Sequence, residues 1–580
     1  MINYKNHNQG VLFDFWEHLG PKRKKLLLQS WAGAFRENVL PSIPIDIIAP
    51  LFSENMGRPT KELYALTGAA VLQQIHDLTD EQTLEQFAFN EKWHYALNIT
   101  SDSDDDKYFC LKTLYTIRRI MVENHLAQPI FDQTGSALAQ AFGVDFAKQR
   151  LDSKHIASNM RHLGRLRLIT TTIRNFLKNL KRQHPDLFDQ LPAELVETYL
   201  KEKDEDACFS QVKPSDSERK LSAAALDLFS LANRFSGRPE LDKMATWRDL
   251  NRVLREQCTV VERPDEPAEV LVKPSKEVSA DSLQNPSDPD AGYDAHKGQG
   301  YQVQVMETYT DEQDPVKKAQ TLNLIDYIEV ESASAHDAHA LVPALAEAKE
   351  QGRLPEQLLG DSHYGGDQNI AAAKALGVEL VAPVMGQTPK TALGLADFEL
   401  SPPNDVVSCP AGEKPVQQRV SEKCDRHTAV FDLRVCAICP RRSECPVEDG
   451  KRDRAYLRYT DKEVRSAQRR KYEATPEFRS RYRWRAGVES TMSQYDRRTG
   501  VGRLRVRGLA AVRFAATLKA VGVNIFRAVA VKIARRRPQK GFGSGFFRVL
   551  GSVLFFQRAS RAFFFRGGFF YSIVHRVDNF

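Results

Sequence analysis

A chain of 580 residues with an ordinary apolar fraction of 42% is too long for one hydrophobic core, and about three or four domain-sized units are expected. Its start, MINYKNHNQG, has no apolar stretch of the secretory kind, and no uninterrupted run of about 18 apolar residues occurs, so no leader and no membrane span are predicted. The net charge of +7 hides an asymmetry: residues 451–580 hold 31 Lys+Arg against 8 Asp+Glu, a net of +23, while the first 450 carry −16.

Such a lopsided segment points to a polyanionic partner. Nucleic acid is favoured over a membrane surface, because neutralising phosphates releases counterions. The expected location is cytoplasmic and nucleoid-associated.

Residues 1–135 read as an all-α N-terminal domain. Leu63, Leu66 and Ala70 keep a helical period after Gly57-Arg58-Pro59-Thr60, with Pro59 near the first turn. Thr79 and Gln82 are spaced as a capping box ahead of Leu84 and Phe87. Beyond the acidic Ser101–Asp106 loop, Leu111, Leu114, Ile117 and Met121 mark an amphipathic helix with Arg118 and Arg119 on its polar side. Short helices of this kind suit a DNA-end-binding module or a dimerisation bundle equally.

From residue 146 to 383 the pattern is α/β. Phe146–Ser153 is a strand candidate ending in a carboxylate, Asp152, and is followed by Lys154, Ser158 and Asn159. A helical insertion at about 162–260 follows: Leu163, Leu166, Ile169, Ile173, Leu177 and Leu180 hold helical spacing, and a second block spans Ser217–Cys258. In that block Thr246 and Asp249 are placed like a capping box before Leu250 and Leu254. Residues 262–290, rich in Pro, Asp, Glu and Ser, read as a linker.

Tyr301, Val303 and Val305 then alternate with glutamines as a period-2 strand, and Leu322–Val330 offers an antiparallel neighbour. Helix 338–351, strand 357–360, helix 368–376 and strand 378–383 complete a mixed sheet. Asp361 falls at the C-terminal end of a buried strand, where ligand-binding residues of open α/β sheets gather.

Residues 384–450 interrupt this regularity. Of the eight cysteines, Cys110, Cys208 and Cys258 are isolated and read as buried thiols, whereas Cys409, Cys424, Cys436, Cys439 and Cys445 cluster. Without a secretory signal such a cluster reads as metal ligation rather than disulfides. Cys436-x2-Cys439 is a knuckle that Cys409 and Cys445 could complete as a tetrahedral zinc site, with Cys424 as a spare ligand.

The basic region, residues 451–530, reads as helical. There Tyr482, Arg485 and Glu489 stand at i, i+3 and i+7 on one helix face, although an i, i+4 surface pair of Arg485 and Glu489 fits the same spacing. Arg497, Arg498, Arg505 and Arg507 follow, and a last helix is expected over Ala510–Ala530. The tail, residues 531–580, is basic and holds 11 of the 31 Phe after position 540; it reads as lying outside the functional core.

Asp152, Asp361 and Glu489 thus stand on two strands and a basic helix. Two hard divalent cations would need carboxylates converging from separate elements in this way.

In these stretches, over roughly residues 40–530, the chain resembles bacterial insertion-sequence transposases of the DDE class. The resemblance rests on Leu151-Asp152-Ser153 with Ser158-Asn159, and on Asp288-Pro289-Asp290-Ala291 with Lys297-Gly298 and Gly300-Tyr301. It rests further on Gly360–Gly365, on a Tyr-x2-Arg-x3-Glu signature at Tyr482, Arg485 and Glu489, on Arg505–Gly508 and on Asn524. It implies a ribonuclease H-like mixed sheet with a helical insertion, preceded by the helical domain and interrupted by the Cys-rich insert.

By the same resemblance Asp152, Asp361 and Glu489 would be the catalytic acids holding two Mg²⁺ or Mn²⁺ ions. Tyr482, Arg485, Arg497, Arg498, Arg505, Arg507 and Lys297 would contact DNA. The implied activity is cleavage at terminal inverted repeats and strand transfer into target DNA, by a homodimer on DNA. A nuclease without strand transfer and a catalytically inactive DNA-binding relative are the alternatives. One departure is Asp496, where the signature often has a lysine; Arg497 or Arg498 would replace it. His363 lies beside the expected metal site, or is simply a hydrogen-bonded loop histidine.

Overall fold

The computed structural model describes residues 2–5, 7, 15–53, 58–200, 214–263, 266–386, 393–402, 404–421 and 425–536. Gly57, Cys208, Cys424 and the tail from residue 537 lie outside the described residues.

Five strands form the central sheet: β1 Lys148–Ala157, β2 Gly298–Thr308, β3 Ile325–Ser332, β4 Gln357–Leu359 and β5 Glu379–Val381. Their order is β3-β2-β1-β4-β5. Strand β2 runs antiparallel to both neighbours, whereas β4 is parallel to β1 and β5 to β4. A three-residue strand, Gly292–Asp294, extends the outer edge of β2.

The alternation expected of β2 is only half the story. Every residue from Gly300 to Thr308 is buried, because helices cover both faces of the sheet. Its glutamines survive burial by hydrogen bonding: Gln302 donates to Glu331 and to the Ala335 carbonyl, and Gln304 to Glu331 and Asp337.

Leu151, Met306 and Tyr327 meet the helix Leu341–Glu350 on one face. On the other face Ile156, Tyr301, Val303, Val305 and Ile328 share one apolar core with the N-terminal helices and with Leu509–Arg536. That 28-residue helix is long and apolar enough to cross a bilayer, yet 78% of its apolar window is buried inside the fold. Its Asn524 side chain accepts from the Ile325 N–H at 2.9 Å and donates to the Ile325 carbonyl at 2.8 Å, so it closes the start of β3.

At the N-terminus the capping box of Thr79 and Gln82 forms, and Leu114, Ile117 and Met121 face the core. Pro59, expected near the first turn, instead precedes the helix Leu63–Ile75. Glu62 caps it by accepting from the Ala65 N–H at 2.7 Å.

The helical insertion has its own core, in which Ile173, Phe176, Leu228 and Leu250 are fully buried. The box expected at Thr246 and Asp249 does not form, because the helix Ala245–Gln257 starts earlier, after Met244. The expected linker opens instead as a β-hairpin, Cys258–Arg263 with Glu266–Val272, since Val260, Val261, Val270 and Val272 favour extended backbone over a loop.

The cysteine-bearing insert is also β-rich. Gln417–Ser421, Arg426–Asp432, Arg454–Tyr459 and Glu448–Asp449 form an antiparallel sheet. The basic region expected to be helical from residue 451 therefore begins as a strand. Ala455, Leu457 and Tyr459 are its alternating buried face.

Candidate active site

Asp152 is the fifth residue of the ten in β1, and so lies within the strand rather than at its end. No breaker follows it: residues 153–157 keep pairing with β2 as far as Gly300. Asp361 does lie where expected, two residues beyond β4. There its Oδ1 accepts from the His363 N–H at 2.8 Å, and its carbonyl accepts from the Tyr364 N–H.

The stretch Tyr482–Glu489 is not one helix face. A helix Pro476–Tyr482 gives way to a 3-10 turn, Arg483–Ala486, before the helix Gly487–Thr499 begins. The cause lies on β1. Arg150 Nη1 donates to the Trp484 carbonyl at 2.8 Å and reaches so close that a Cβ on residue 487 would sit 2.0 Å from it; only glycine fits there.

Despite the break, the three acids converge on Arg485. Its Nη2 donates to Asp152 Oδ2 at 2.9 Å and lies 3.9 Å from Asp361 Oδ2, while its Nη1 lies 3.4 Å from Glu489 Oε1. The i, i+4 surface pair and the convergence thus coexist. Side-chain exposure rises from 12% at Asp152 through 25% at Asp361 to 71% at Glu489, so the cleft opens toward the helix.

Burial pushes the Asp152 carboxyl up to about 6 against the pull of Arg485, and Asp361 and Asp337 push it the same way. Burial also works against the charge of Arg485, but Asp152, Tyr482 and Asp361 outweigh it and hold that guanidinium above its ordinary range. The Tyr482 hydroxyl is raised, mainly by burial, and its ring stacks on Phe478 with centroids 5.3 Å apart.

Beneath the site lies a group that the sequence reading did not single out. Glu307 of β2 is fully buried and binds Arg150 at 2.7 Å, Arg527 at 2.7 Å and Thr491 at 2.7 and 2.8 Å. Burial alone would raise its carboxyl, but Arg527 and Arg150 hold it below the usual carboxylate range. The lock fixes the helix Gly487–Thr499, and hence Glu489, against β1 and β2. Its only sequence signal is an acid within an apolar strand.

Asp337 is a second missed acid: it accepts from Gln304 at 3.0 Å and lies 3.3 Å from His363 Nδ1. His363 is itself 3.9 Å from Asp361, so it is both a hydrogen-bonded loop residue and a neighbour of the cleft.

The remaining basic residues fall into two sets. Lys297, Arg497 and Arg498 are exposed, with the Arg498 guanidinium 5.3 Å from the Phe526 ring centre. Arg505 is tied to Asp77 at 2.7 Å, and Arg507 donates to the Asn159 carbonyl at 2.7 Å. Asp496 faces Lys154 at 3.3 Å and accepts from the Gly502 N–H at 3.0 Å. Lys154 is two residues from Asp152 on β1 and therefore shares its face of the sheet.

In the insert Cys409, Cys436, Cys439 and Cys445 are half-buried free thiols lining one cavity of about 30 Å³. Burial pushes the Cys436 thiol up, and Cys445, Cys409 and Cys439 add to that push. Asp425, His427 and Asp461 form another compact group, with ligand atoms within 4.8 Å of one another. There His427 Nε2 lies 2.9 Å from Asp461, which also accepts from Asn404 at 2.7 Å.

A family model described as a transposase DDE domain matches residues 408–529, which span the insert and the signature but not Asp152 or Asp361. No curated protein matches the chain.

Proposed function

We propose that this chain, which belongs to the transposases of the DDE class, cleaves DNA at the ends of an insertion sequence and joins the freed 3′ end to target DNA. The observation that carries the reading is the Arg485 guanidinium held among Asp152, Asp361 and Glu489. A strand, a strand end and a helix bring three carboxylates into one cleft, a hard-oxygen donor set that suits Mg²⁺ or Mn²⁺. The desolvation that lifts Asp152 fits the same conclusion, since an added positive charge would relieve it. When bound, two such ions would activate the attacking oxygen and stabilise the leaving one.

The protein's own residues hold and orient. Arg485 keeps the acids together and suits two oxygens of a phosphate with its fork. Tyr482, propped on Phe478, flanks it. Lys154 brings positive charge beside Asp496, where related signatures have a lysine of their own. Lys297, Arg497, Arg498, Arg505 and Arg507 contact the DNA backbone, the last two after leaving their partners within the chain. A sheet ordered β3-β2-β1-β4-β5, with only β2 reversed, supports a ribonuclease H-like core. Two ends must be paired, so the acting species is a homodimer on DNA.

Incubating the full chain with DNA carrying the inverted repeats that flank its gene, and with target DNA, tests this. Wild type is expected to give joined transposon–target product. Asp361→Asn binds the ends but loses cleavage by at least about a hundredfold. Cut DNA alone, or bound DNA alone, from wild type would overturn the assignment, as would full cleavage by the variant.

A further inference from the structure

We propose that the insert carries a structural zinc ion bound by Cys409, Cys436, Cys439 and Cys445, separate from the carboxylate cleft. Two turns of the metal-knuckle kind present the thiols. In Cys409-Pro410-Ala411-Gly412 the Gly412 N–H donates to the Cys409 carbonyl at 2.8 Å, and Gly412 takes a φ of +88°, which a side chain would resist. The Cys409 N–H in turn donates to the Glu413 carbonyl at 2.8 Å.

In Cys436-Ala437-Ile438-Cys439 the Cys439 N–H donates to the Cys436 carbonyl at 3.2 Å. The chain then returns through Arg442, whose carbonyl accepts from the Cys445 N–H at 3.2 Å. Four cysteines from separate turns thereby line one cavity of about 30 Å³, enough for a single ion. Its remaining walls include Phe431, Val435 and Val447, so no hard-oxygen donor set surrounds it. Four sulfurs select a soft, tetrahedral ion such as zinc over Mg²⁺.

The insert also needs a staple. Its buried apolar cluster holds nine residues, and Cys409, Cys436 and Cys445 pack against that cluster. So small a core seldom stands alone below about 70 residues. Arg442 lines the cavity too, where its charge offsets that of four thiolates.

The experiment is metal analysis of the full-length protein, wild type and two variants, Cys436→Ser and His427→Ala, with thiol alkylation read by mass spectrometry. One zinc per chain is expected in wild type and in His427→Ala, and none in Cys436→Ser. The exposed Cys110 should alkylate at once, and the four insert cysteines only after chelation. If Cys436→Ser fails to fold, cobalt-substituted wild type decides, by an intense thiolate-to-cobalt charge-transfer band. Wild type without zinc, iron in its place, or zinc kept by Cys436→Ser but lost by His427→Ala would overturn the proposal. DNA cleavage enters none of these readouts, so failure here is distinct from failure of the transposase reading.

Discussion

At the residue scale the decisive group is Arg485, the shared counter-charge of three acids in a partly desolvated cleft. Removing it leaves those acids facing one another, and breaking a pair in which one partner is largely buried destabilises the fold. Because the cleft opens at Glu489, Arg485→Gln is expected to lose about 1–3 kcal/mol without divalent cations, less than a fully enclosed pair would. Millimolar Mg²⁺ should restore most of that loss, with a larger thermal shift than in wild type. A variant as stable as wild type, with no added response to Mg²⁺, would show that the acids do not share one charge. Asp361 was legible in the sequence because a buried strand followed by Gly-Asp announces a strand end. Asp152 was found, but its place within β1 was not, since pairing with β2 carries that strand onward. Glu307 was illegible: its meaning depends on Arg150 and Arg527, 157 and 220 residues away.

At the scale of elements, local pattern predicted what local forces decide and missed what distant contacts decide. The capping box at Thr79 and the amphipathic helix Leu111–Glu123 formed as read, because both depend on neighbours within a turn or two. The turn Arg483–Ala486 did not announce itself, since Arg150, far back on β1, takes the Trp484 carbonyl. A similar long-range contact couples the helices Leu341–Glu350 and Ala127–Phe142, where Gln128 reaches both Asp132 and Glu347. Burial pushes Glu347 up to about 7, and Asp132, Asp326, Glu329 and Glu350 push it further that way. A carboxyl raised in the fold binds its proton more tightly there than in the unfolded chain. Its contribution is therefore full below the ordinary value of 4.5 and is lost as pH rises to about 7. Glu347→Gln, which stays neutral, should match wild type at pH 4 and exceed it at pH 8. Solvent screening of this half-buried group keeps the gain to about 1 kcal/mol or less. Melting curves at the two pH values check this, and a gain at pH 4 alone would contradict it.

At the scale of the whole molecule, charge and packing divide the chain differently. Residues 1–532 form one compact unit, in which the N-terminal helices, the sheet and the helix Leu509–Arg536 share apolar surface. The positive charge instead accumulates toward the C-terminus and continues past the described residues: positions 537–580 hold seven Lys+Arg and one Asp. The carboxylate cleft, the Glu307 lock and the four-cysteine cavity all lie before Arg536. Truncation after Arg536 should therefore leave the melting temperature and the cleavage rate within about twofold of wild type. DNA affinity should respond otherwise, because each phosphate neutralised contributes about 0.9 to the slope of log affinity against log salt. Losing the tail should flatten that slope by up to about six and weaken binding most at low salt. Titrations of full-length and truncated protein on the same duplex, from about 50 to 200 mM salt, give the two slopes directly. Equal slopes would mean that the tail's charges meet no phosphate, and loss of folding or cleavage would place the tail inside the working core.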